Sequence, residues 1–267
     1  MQRFEIMPFA KGEAQAAELP GPVRLTVTTS PRHGVDHTLD VSERLRALGH
    51  GVTVHLAVRM LRDRAHLESV LERASAAGID DLFVVGGDAA EPEGPYAESG
   101  DVLAILAGHP LRPAHVGVGA YPEGHPFIDE RVLAEALQRK NELADYMATQ
   151  LCFDPQVLLR WLEGVRAQGV SLPLYAGVPG PIERRKLLEI STKVGVGASL
   201  RFLRKQHGIL SLLKRPGREA DTLRDALAPL VGDRSLGLAG LHLFTFNELV
   251  ATWEWSQELP PADASVA

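Results

Sequence analysis

The chain has 267 residues, 45% of them hydrophobic and 23% charged, and it carries a formal net charge of -6. This is the composition of a globular protein. The negative charge, which no basic tract offsets, argues against general nucleic-acid binding, and the one cysteine excludes an internal disulfide. No apolar run approaches the length of a membrane span and the first residues lack the layout of a signal peptide, so we expect a cytoplasmic protein without a membrane partner.

Short β-favouring runs alternate with longer helical patterns along almost the whole chain. Each run is apolar through its centre, which is typical of strands buried on both faces of a parallel sheet. Eight strands are predicted: Arg3–Met7, Val23–Thr28, Val52–Ala57, Leu82–Val85, His115–Ala120, Tyr146–Phe153, Leu172–Ala176 and Ala239–Phe244.

Helical patterns lie between most of the predicted strands. In the first of them apolar residues recur at helical spacing, and Gly49 provides a stop. Asp154-Pro155 combines an N-cap residue with a proline at the first helical position, which predicts the start of another helix. The predicted helices are Thr38–Leu48, Asp63–Ala77, Asp129–Leu143, Pro155–Ala167, Ser199–Gln206 and Thr222–Leu230.

Eight strands with intervening helices predict an α/β fold, a closed (β/α)₈ TIM barrel that forms a single domain. An open doubly wound sheet is the alternative. We expect residues 1–259 to form the catalytic barrel, with Trp253 and Trp255 packing the last helix onto it. The Pro/Ala-rich tail over residues 260–267 is expected to be disordered.

In such a barrel the carboxyl ends of the strands carry the chemistry. Residues at or just beyond the ends of predicted strands are Glu5, Thr28, Asp88, Tyr121, Gln150 and Gly177. Two carboxylates at one mouth could divide the work, one as general acid and one as stabiliser of a developing cation. The amide of Gln150 can donate and accept at once, as the edge of a heterocycle requires. Thr28 and His55 add smaller polar contacts.

Other readings of these residues compete with the chemical one. Glu5 and Asp88 could instead cap strands, or pair with an arginine such as Arg59 or Arg139. A glycine pair in the fifth predicted strand begins like a dinucleotide fingerprint, but the third glycine is missing and a proline stands where the helix should start. The ten histidines show no metal-ligand spacing, so we expect no protein-held metal.

The order and spacing of the polar motifs closely resemble those of methylenetetrahydrofolate reductases. Each motif is weak alone, but the ordered set is specific and covers nearly the whole chain. The motifs are Phe4-Glu5-Ile6-Met7-Pro8, Val27-Thr28, Val54-His55-Leu56, Gly87-Asp88, Tyr96-Ala97, Ala120-Tyr121-Pro122-Glu123, His125-Pro126, Arg139-Lys140, Thr149-Gln150, Phe153-Asp154, Gly177-Val178-Pro179 and His242-Leu243-Phe244-Thr245-Phe246-Asn247. The resemblance implies the barrel fold and an oxidoreductase of one-carbon metabolism, which reduces 5,10-methylenetetrahydrofolate to 5-methyltetrahydrofolate with a nicotinamide donor.

The resemblance also implies roles for individual residues. Glu5 matches the general acid, which protonates N10 as the five-membered ring opens and leaves an electrophilic iminium at N5. Asp88 matches the catalytic carboxylate that contacts the pterin and stabilises this cation. Gln150 matches a pterin-binding amide, and Thr28 matches a small residue near the reacting centre. Ile190 stands at the substrate position where the family has an aromatic ring to stack on the p-aminobenzoyl group.

Typical members of the family hold FAD between the nicotinamide donor and the folate. The residues that match its cofactor-binding positions are His55, Gly87, Tyr96, Ala97, Tyr121, His125, Arg139 and Lys140. Other flavin contacts are altered, because Gly86 replaces an arginine and Leu133 and Ala136 replace polar residues. Each lost charge-assisted hydrogen bond to a pyrophosphate costs roughly 1.5–3 kcal/mol, so several losses weaken FAD binding by orders of magnitude.

The chain is therefore similar to the short, actinobacterial-like branch of the family, in which flavin-independent reduction is known. We expect direct hydride transfer from NADH, with NADPH as the other candidate donor. The alternatives are a reductase that retains FAD, and a folate-linked methyl-transfer or demethylation protein on the same scaffold. The expected partners are a folate and a nicotinamide dinucleotide, and the oligomeric state is open. Glu248 replaces an arginine that meets the folate tail, so recognition of that tail is open as well.

Overall fold

The computed structural model describes residues 2–182, 218–233 and 235–258, and its strands close into a barrel. The strands are β1 (Gln2–Ile6), β2 (Arg24–Val27), β3 (Gly51–Ala57), β4 (Asp81–Val85), β5 (His115–Ala120), β6 (Tyr146–Thr149), β7 (Leu174–Pro179) and β8 (Leu238–Phe244). Neighbouring strands are parallel, and β8 pairs with β1 to complete the ring. The predicted TIM barrel is confirmed. The alternative prediction, an open doubly wound sheet, is wrong. Such a sheet has two unpaired edge strands, whereas every strand of this barrel pairs with a neighbour on each side.

Helices alternate with the strands around the barrel. Within the described ranges they are α1 (Ala10–Glu18), α2 (Gly34–Ala47), α3 (Arg64–Ala76), α4 (Ser99–Leu106), α5 (Glu130–Lys140), α6 (Pro155–Ala167), α7 (Arg218–Leu227) and α8 (Leu249–Gln257). Their apolar faces pack inward, as in α2, which buries Leu39, Val41 and Leu45. None of the helices in these ranges combines the length and the apolar character that crossing a lipid bilayer requires.

Two local predictions are confirmed at the ends of helices. The Asp154 side chain accepts a hydrogen bond of 2.9 Å from the Gln156 backbone N–H, and Pro155 opens α6. This cap satisfies one of the N–H groups that a helix start leaves unpaired. In α8, Trp255 is buried and its indole N–H donates to Asp221 of α7 at 2.7 Å. The last helix is therefore fastened to the barrel through its tryptophans, since Trp253 also packs against the core.

Several element boundaries differ from the prediction. β6 ends at Thr149 and not at Phe153, because the chain leaves the sheet at Gln150, and Leu151 and Phe153 pack in an apolar cluster at the mouth of the barrel. β7 runs over Leu174–Pro179 and not Leu172–Ala176. The prediction omits α1, whose buried positions are Gly12 and Ala16, too small to produce an apolar period, and α4, whose second residue is glycine. The predicted helix Ser199–Gln206 and the tail 260–267 lie outside the described residues.

A charged cluster is buried at the amino-terminal end of the barrel. Arg3, near the start of β1, donates from Nη1 to Asp81, the first residue of β4, at 2.6 Å. Its guanidinium lies 4.1 Å and 4.4 Å from the ring centres of Tyr146 and Tyr175. The Tyr146 hydroxyl donates to the same carboxylate at 2.8 Å, and burial raises the pKa of this phenol well above its usual value. We call Arg3, Asp81, Tyr146 and Tyr175 the Arg3 cluster.

Candidate active site

The barrel brings the predicted polar residues to its mouth, the end formed by the carboxyl ends of the strands. Glu5 is the next-to-last residue of β1, and His55 lies within β3. The other residues follow their strands: Thr28 after β2, Asp88 after β4, Tyr121 after β5 and Gln150 after β6. This placement results from the parallel order, which puts every carboxyl end on the same side.

Glu5 lies between two histidines from other strands. Its Oε2 is 3.0 Å from Nε2 of His242 in β8 and 3.7 Å from Nε2 of His55 in β3. The Glu5 side chain is 18% exposed and that of His242 is 4% exposed, so a ligand at the mouth reaches the carboxylate first. Burial lowers the pKa of His55 to about 4, against the opposing effect of the Glu5 charge, so this ring is neutral near neutral pH.

His242 is not among the predicted site residues, although it opens the last motif of the resemblance. Its Nδ1 is buried and has no hydrogen-bond partner among the described residues. A proton on Nε2 is shared with the Glu5 carboxylate, whereas a proton on Nδ1 would be a buried N–H without an acceptor. We therefore assign His242 as a donor to Glu5. The signal in the sequence is a histidine inside an apolar strand, which needs a polar partner when buried.

Buried polar atoms without partners surround Glu5. In the described part of the chain these include Thr26 Oγ1, His55 Nε2 and His242 Nδ1. Thr26 is the register partner of Glu5 on β2. Almost all buried polar groups in folded proteins are hydrogen-bonded, so a group of exceptions around one carboxylate indicates a place where a ligand completes the bonding.

Neither of the arginines considered as partners pairs with the two candidate carboxylates in the described structure. Arg59 donates to backbone carbonyl oxygens of the loop after β4, at Ala89, Ala90 and Ala97. Arg139 lies 3.9 Å from Glu98. Both arginines are thus engaged away from Glu5 and Asp88.

Asp88 lies exposed at the rim above β4, next to the end of β5. Its charge opposes the lowering of the His125 pKa by burial and adds to the raising of the Tyr121 pKa by burial. No hydrogen bond joins Asp88 to Glu5 in the residues the structure describes. The backbone before it requires Gly87, which has φ +90, and a Cβ there would lie 2.8 Å from that of Ala57.

Gln150 and Thr28 are held at the mouth by their backbones. The Gln150 N–H donates to the Ala120 carbonyl at 2.9 Å, and its side-chain Oε1 accepts from the Leu151 N–H at 2.9 Å. The amide NH₂ of Gln150 is then the group that a ligand can use. The Thr28 N–H donates to the Ile6 carbonyl at 3.0 Å, which fastens the end of β2 to β1.

A strained turn follows β8 beside Glu5. Phe246 and Asn247 have φ of 51 and 60, in the left-handed region that non-glycine residues rarely occupy. Asn247 holds the turn, since its side chain accepts from the Met7 N–H at 2.8 Å and donates to the Met7 carbonyl at 3.3 Å. The Thr245 hydroxyl donates to the Glu5 carbonyl at 2.6 Å. Strain of this kind concentrates at functional sites.

Apolar side chains form a wall at the mouth, separate from the main core. The wall continues from the Glu5–His242 pair, because the rings of His242 and Phe244 meet edge to face at 5.0 Å. Phe246 is partly exposed and stacks on Phe244 at 6.4 Å. The members of the wall are Leu151, Phe153, Ile182, Phe244 and Phe246.

Apart from His55, which lies beside Glu5, the predicted cofactor residues follow β4 and β5. Tyr96 is 6% exposed and packs in the main core, and the Ala97 carbonyl accepts from Arg59, so this pair shapes the loop after β4. The rings of Tyr121 and His125 meet edge to face at 5.3 Å.

A cavity of about 280 Å³ lies between α5 and α6, beside the end of β5. Its lining includes Tyr121, Leu133, Ala136, Lys140 and Trp161. Burial lowers the pKa of Lys140, an effect partly offset by the charge of Glu98. We call this space the α5–α6 cavity. Because β5 and β1 face each other across the ring, it is separate from the Glu5 site.

Sequence comparison decides the family. A sequence model described as methylenetetrahydrofolate reductase matches residues 17–200. The chain belongs to the methylenetetrahydrofolate reductase family. Methylenetetrahydrofolate reductase 1 of Schizosaccharomyces pombe is 27% identical over 121 residues, and methylenetetrahydrofolate reductase 2 of Saccharomyces cerevisiae is 25% identical over 123 residues. These alignments span 42% of this chain but only 20% of each yeast reductase.

Solved structures of similar shape include two dihydropteroate synthases. That of Xanthomonas albilineans has a TM-score of 0.47 and 16% identity, and the match covers 97% of this chain and 93% of that chain. That of Thermus thermophilus has a TM-score of 0.49 and 14% identity, with coverage of 95% and 90%. Similarity at this level says nothing about substrate.

The resemblance links two further positions, Ile190 and Glu248, to folate binding. Glu248, where the resemblance expects an arginine, forms an ion pair with Lys11 at 2.7 Å on the rim. Ile190, the predicted stacking position, lies outside the described residues.

Proposed function

We propose that this protein reduces 5,10-methylenetetrahydrofolate to 5-methyltetrahydrofolate and takes the hydride directly from NADH, without a flavin. Membership of the methylenetetrahydrofolate reductase family supports the folate substrate. The observation that carries the proposal is the Glu5–His242 pair at the mouth, with unpartnered polar atoms of Thr26 and His55 around it in the described chain.

Glu5 is the proton donor in this reaction. His242 holds one carboxyl oxygen, which leaves the other for N10 of the folate. Protonation of N10 accompanies cleavage of its bond to the methylene carbon, and that carbon becomes part of an iminium cation with N5. Asp88 supplies a carboxylate for the developing positive charge, and Gln150 supplies an amide for the pterin edge.

Hydride transfer completes the reduction. The hydride of NADH adds to the methylene carbon, which becomes the methyl group on N5, and the nicotinamide leaves oxidised. One proton and one hydride are consumed for each folate. The apolar wall beside Glu5 excludes water from the iminium, which water would otherwise attack.

The cofactor groove supports a reaction without FAD. At Gly86, where the family has an arginine, a Cβ would meet no atom within 4 Å, so the position offers open space and no cation. Leu133 and Ala136 present apolar surface to the α5–α6 cavity. Arg139 is 60% exposed and lies 3.9 Å from Glu98. These residues do not fit the flavin pyrophosphate, so no step is assigned to FAD.

Purification after FAD supplementation, followed by an absorbance scan and an NADH-oxidation assay, tests the proposal. We expect a colourless protein that oxidises NADH only when methylenetetrahydrofolate is added, with the same rate with and without free FAD. Stoichiometric yellow flavin would replace the flavin-free mechanism by the FAD-dependent one. Folate-dependent methyl transfer without oxidation of NADH or NADPH would overturn the reductase assignment.

A further inference from the structure

Phe83 of β4 is a buried aromatic residue inside the barrel, below the Glu5 site. Its ring centre lies 4.8 Å from that of His55 and 6.3 Å from that of His242, the two histidines beside the candidate acid. These distances are typical of interacting aromatic rings. Phe83 belongs to an apolar cluster separate from the main core, whose other buried members are Tyr146, Ala148 and Tyr175.

Strand pairing determines the contact between Phe83 and His55. The two residues are register partners on β4 and β3, and partners in a parallel sheet point to the same face. Their rings meet at an interplanar angle of 34°. Phe83 also stacks on Tyr146 of the Arg3 cluster, with ring centres 6.2 Å apart. A row of rings therefore runs from His55 through Phe83 to the Arg3 cluster.

The nitrogen of His55 that faces Glu5 has no hydrogen bond in the described chain. Nε2 of His55 is buried and lies 3.7 Å from Glu5 Oε2, too far for a hydrogen bond. The Phe83 ring covers one face of the imidazole and offers it no acceptor. Burial lowers the pKa of His55 to about 4, so this ring is uncharged near neutral pH.

Glu5 of β1 and His242 of β8 are the titratable groups that act on His55 among the described residues. Burial has the largest effect on the pKa of His55, the Glu5 charge opposes it and His242 adds to it. Across the row of rings, Arg3 and Asp81 form an ion pair of their own at 2.6 Å. If water reached the imidazole, the attraction of Glu5 would dominate and His55 would become a cation.

The charge of His55 affects the acid that the proposed reaction needs. A cationic His55 would stabilise the carboxylate form of Glu5, which has no proton for N10 of the folate. An uncharged His55 leaves the protonated form of Glu5 accessible. Whatever keeps water from His55 therefore supports the proton transfer.

We propose that Phe83 is a positioning residue for the reduction, because its ring holds His55 beside Glu5 in the uncharged form and so preserves the acid. Phe83 itself does not touch the reacting atoms and acts through His55. The inference rests on the proposed function for the proton transfer, but the effect of Phe83 on His55 can be measured without turnover.

The first test follows the charge of His55 directly. NMR signals of the histidine rings are recorded from about pH 8 to about pH 4.5 in the wild type, Phe83→Ala and Phe83→Leu, and the signal missing from His55→Gln identifies the residue. The pKa of His55 should rise by at least ~2 units in Phe83→Ala, because water reaches the imidazole, and by less in Phe83→Leu.

The control for this titration is Leu162→Ala, at a fully buried position of α6. It should destabilise the chain and leave the His55 signal as in the wild type. An unchanged His55 titration in both Phe83 variants would overturn the inference, and so would an equal shift in Leu162→Ala.

The second test connects the charge to turnover. The ratio of kcat for Phe83→Ala to kcat for the wild type should fall at least ~2-fold between about pH 8 and about pH 6, because the His55 cation forms only at the lower pH. A residue that merely fills space would lower kcat by the same factor at every pH. Addition of His55→Gln to Phe83→Ala removes the cation and should abolish this pH dependence. A ratio that does not change with pH would contradict the role of Phe83.

The two tests separate this inference from the proposed function. If the His55 titration shifts as expected but the wild type oxidises neither NADH nor NADPH with methylenetetrahydrofolate, the control of His55 by Phe83 stands and the reductase proposal fails. If the wild type is a reductase and the Phe83 variants change neither the titration nor the pH dependence of kcat, the reductase stands and the role of Phe83 fails.

Discussion

The two ends of the barrel bury charge in different ways. At the amino-terminal end, the Arg3 cluster pairs a guanidinium with Asp81 at 2.6 Å between two tyrosine rings, and Arg3 Nε is the buried polar atom left without a partner there in the described chain. At the mouth, Glu5 faces two neighbouring histidines, and three polar atoms around it lack partners among the described residues. A charge compensated by the protein's own groups can stay buried without a ligand. A charged group whose surroundings still lack hydrogen-bond partners is available to a ligand.

The largest effect is expected from breaking the Arg3 cluster at the amino-terminal end of the barrel. Asp81→Asn should lower the free energy of unfolding by about 3–5 kcal/mol, because it leaves Arg3 as a buried charge without its ion-pair partner. Denaturant titration measures the loss. The control is Asp80→Asn at the exposed neighbouring position, where a change within ~0.5 kcal/mol is expected. A similar small change for Asp81→Asn would show that the Arg3 cluster does not stabilise the fold.

Removing the acid at the mouth should affect turnover and leave stability intact. Glu5→Gln keeps an acceptor for His242 but has no proton to give to N10, so kcat should fall at least ~10²-fold. Folate binding, measured by calorimetry, should be retained. Glu13→Gln on α1 is the control and should turn over normally. Normal reduction by Glu5→Gln would refute the assignment of the acid.

Lowering the pH should reduce the stability of the folded chain through the protonation of His55. Its pKa is about 4 in the folded chain and 6.5 without perturbation, so the unfolded chain takes up this proton first as the pH falls. The contribution of His55 to stability is complete above pH 6.5 and is lost towards pH 4, with an upper limit of about 3 kcal/mol. His55→Gln should therefore lose less stability than the wild type between these pH values in denaturant titrations. An identical loss would exclude His55 as the source.

The smallest effect is expected from the hydrogen bond that His242 donates to Glu5. His242→Phe should lower kcat roughly 10-fold with little change in the folate KM, because it removes one charge-assisted hydrogen bond from the acid. His242→Gln retains an N–H donor and should recover most of the activity. If both variants lose activity equally, the ring fills space and does not position Glu5.

The outline of the fold follows from the sequence because barrel strands are apolar along their whole length and their helices carry large apolar residues at regular spacing. Where that signal fails, the prediction fails too. Gly12 and Ala16 give α1 no visible apolar face. Residues 151–153 are apolar like a strand, which makes the predicted β6 too long, but Leu151 and Phe153 belong to the wall at the mouth and Cys152 packs in the main core.

The sequence alone determined which residues reach the mouth, since in a parallel barrel every carboxyl end lies on the same side. Glu5, Thr28, Asp88, Tyr121 and Gln150 were found in this way. Which of them touch was decided by the closure of the ring. His242 is 237 residues from Glu5 along the chain, and only the pairing of β8 with β1 brings them to 3.0 Å. A contact made by closure has no local pattern, because neither strand carries information about its distant neighbour.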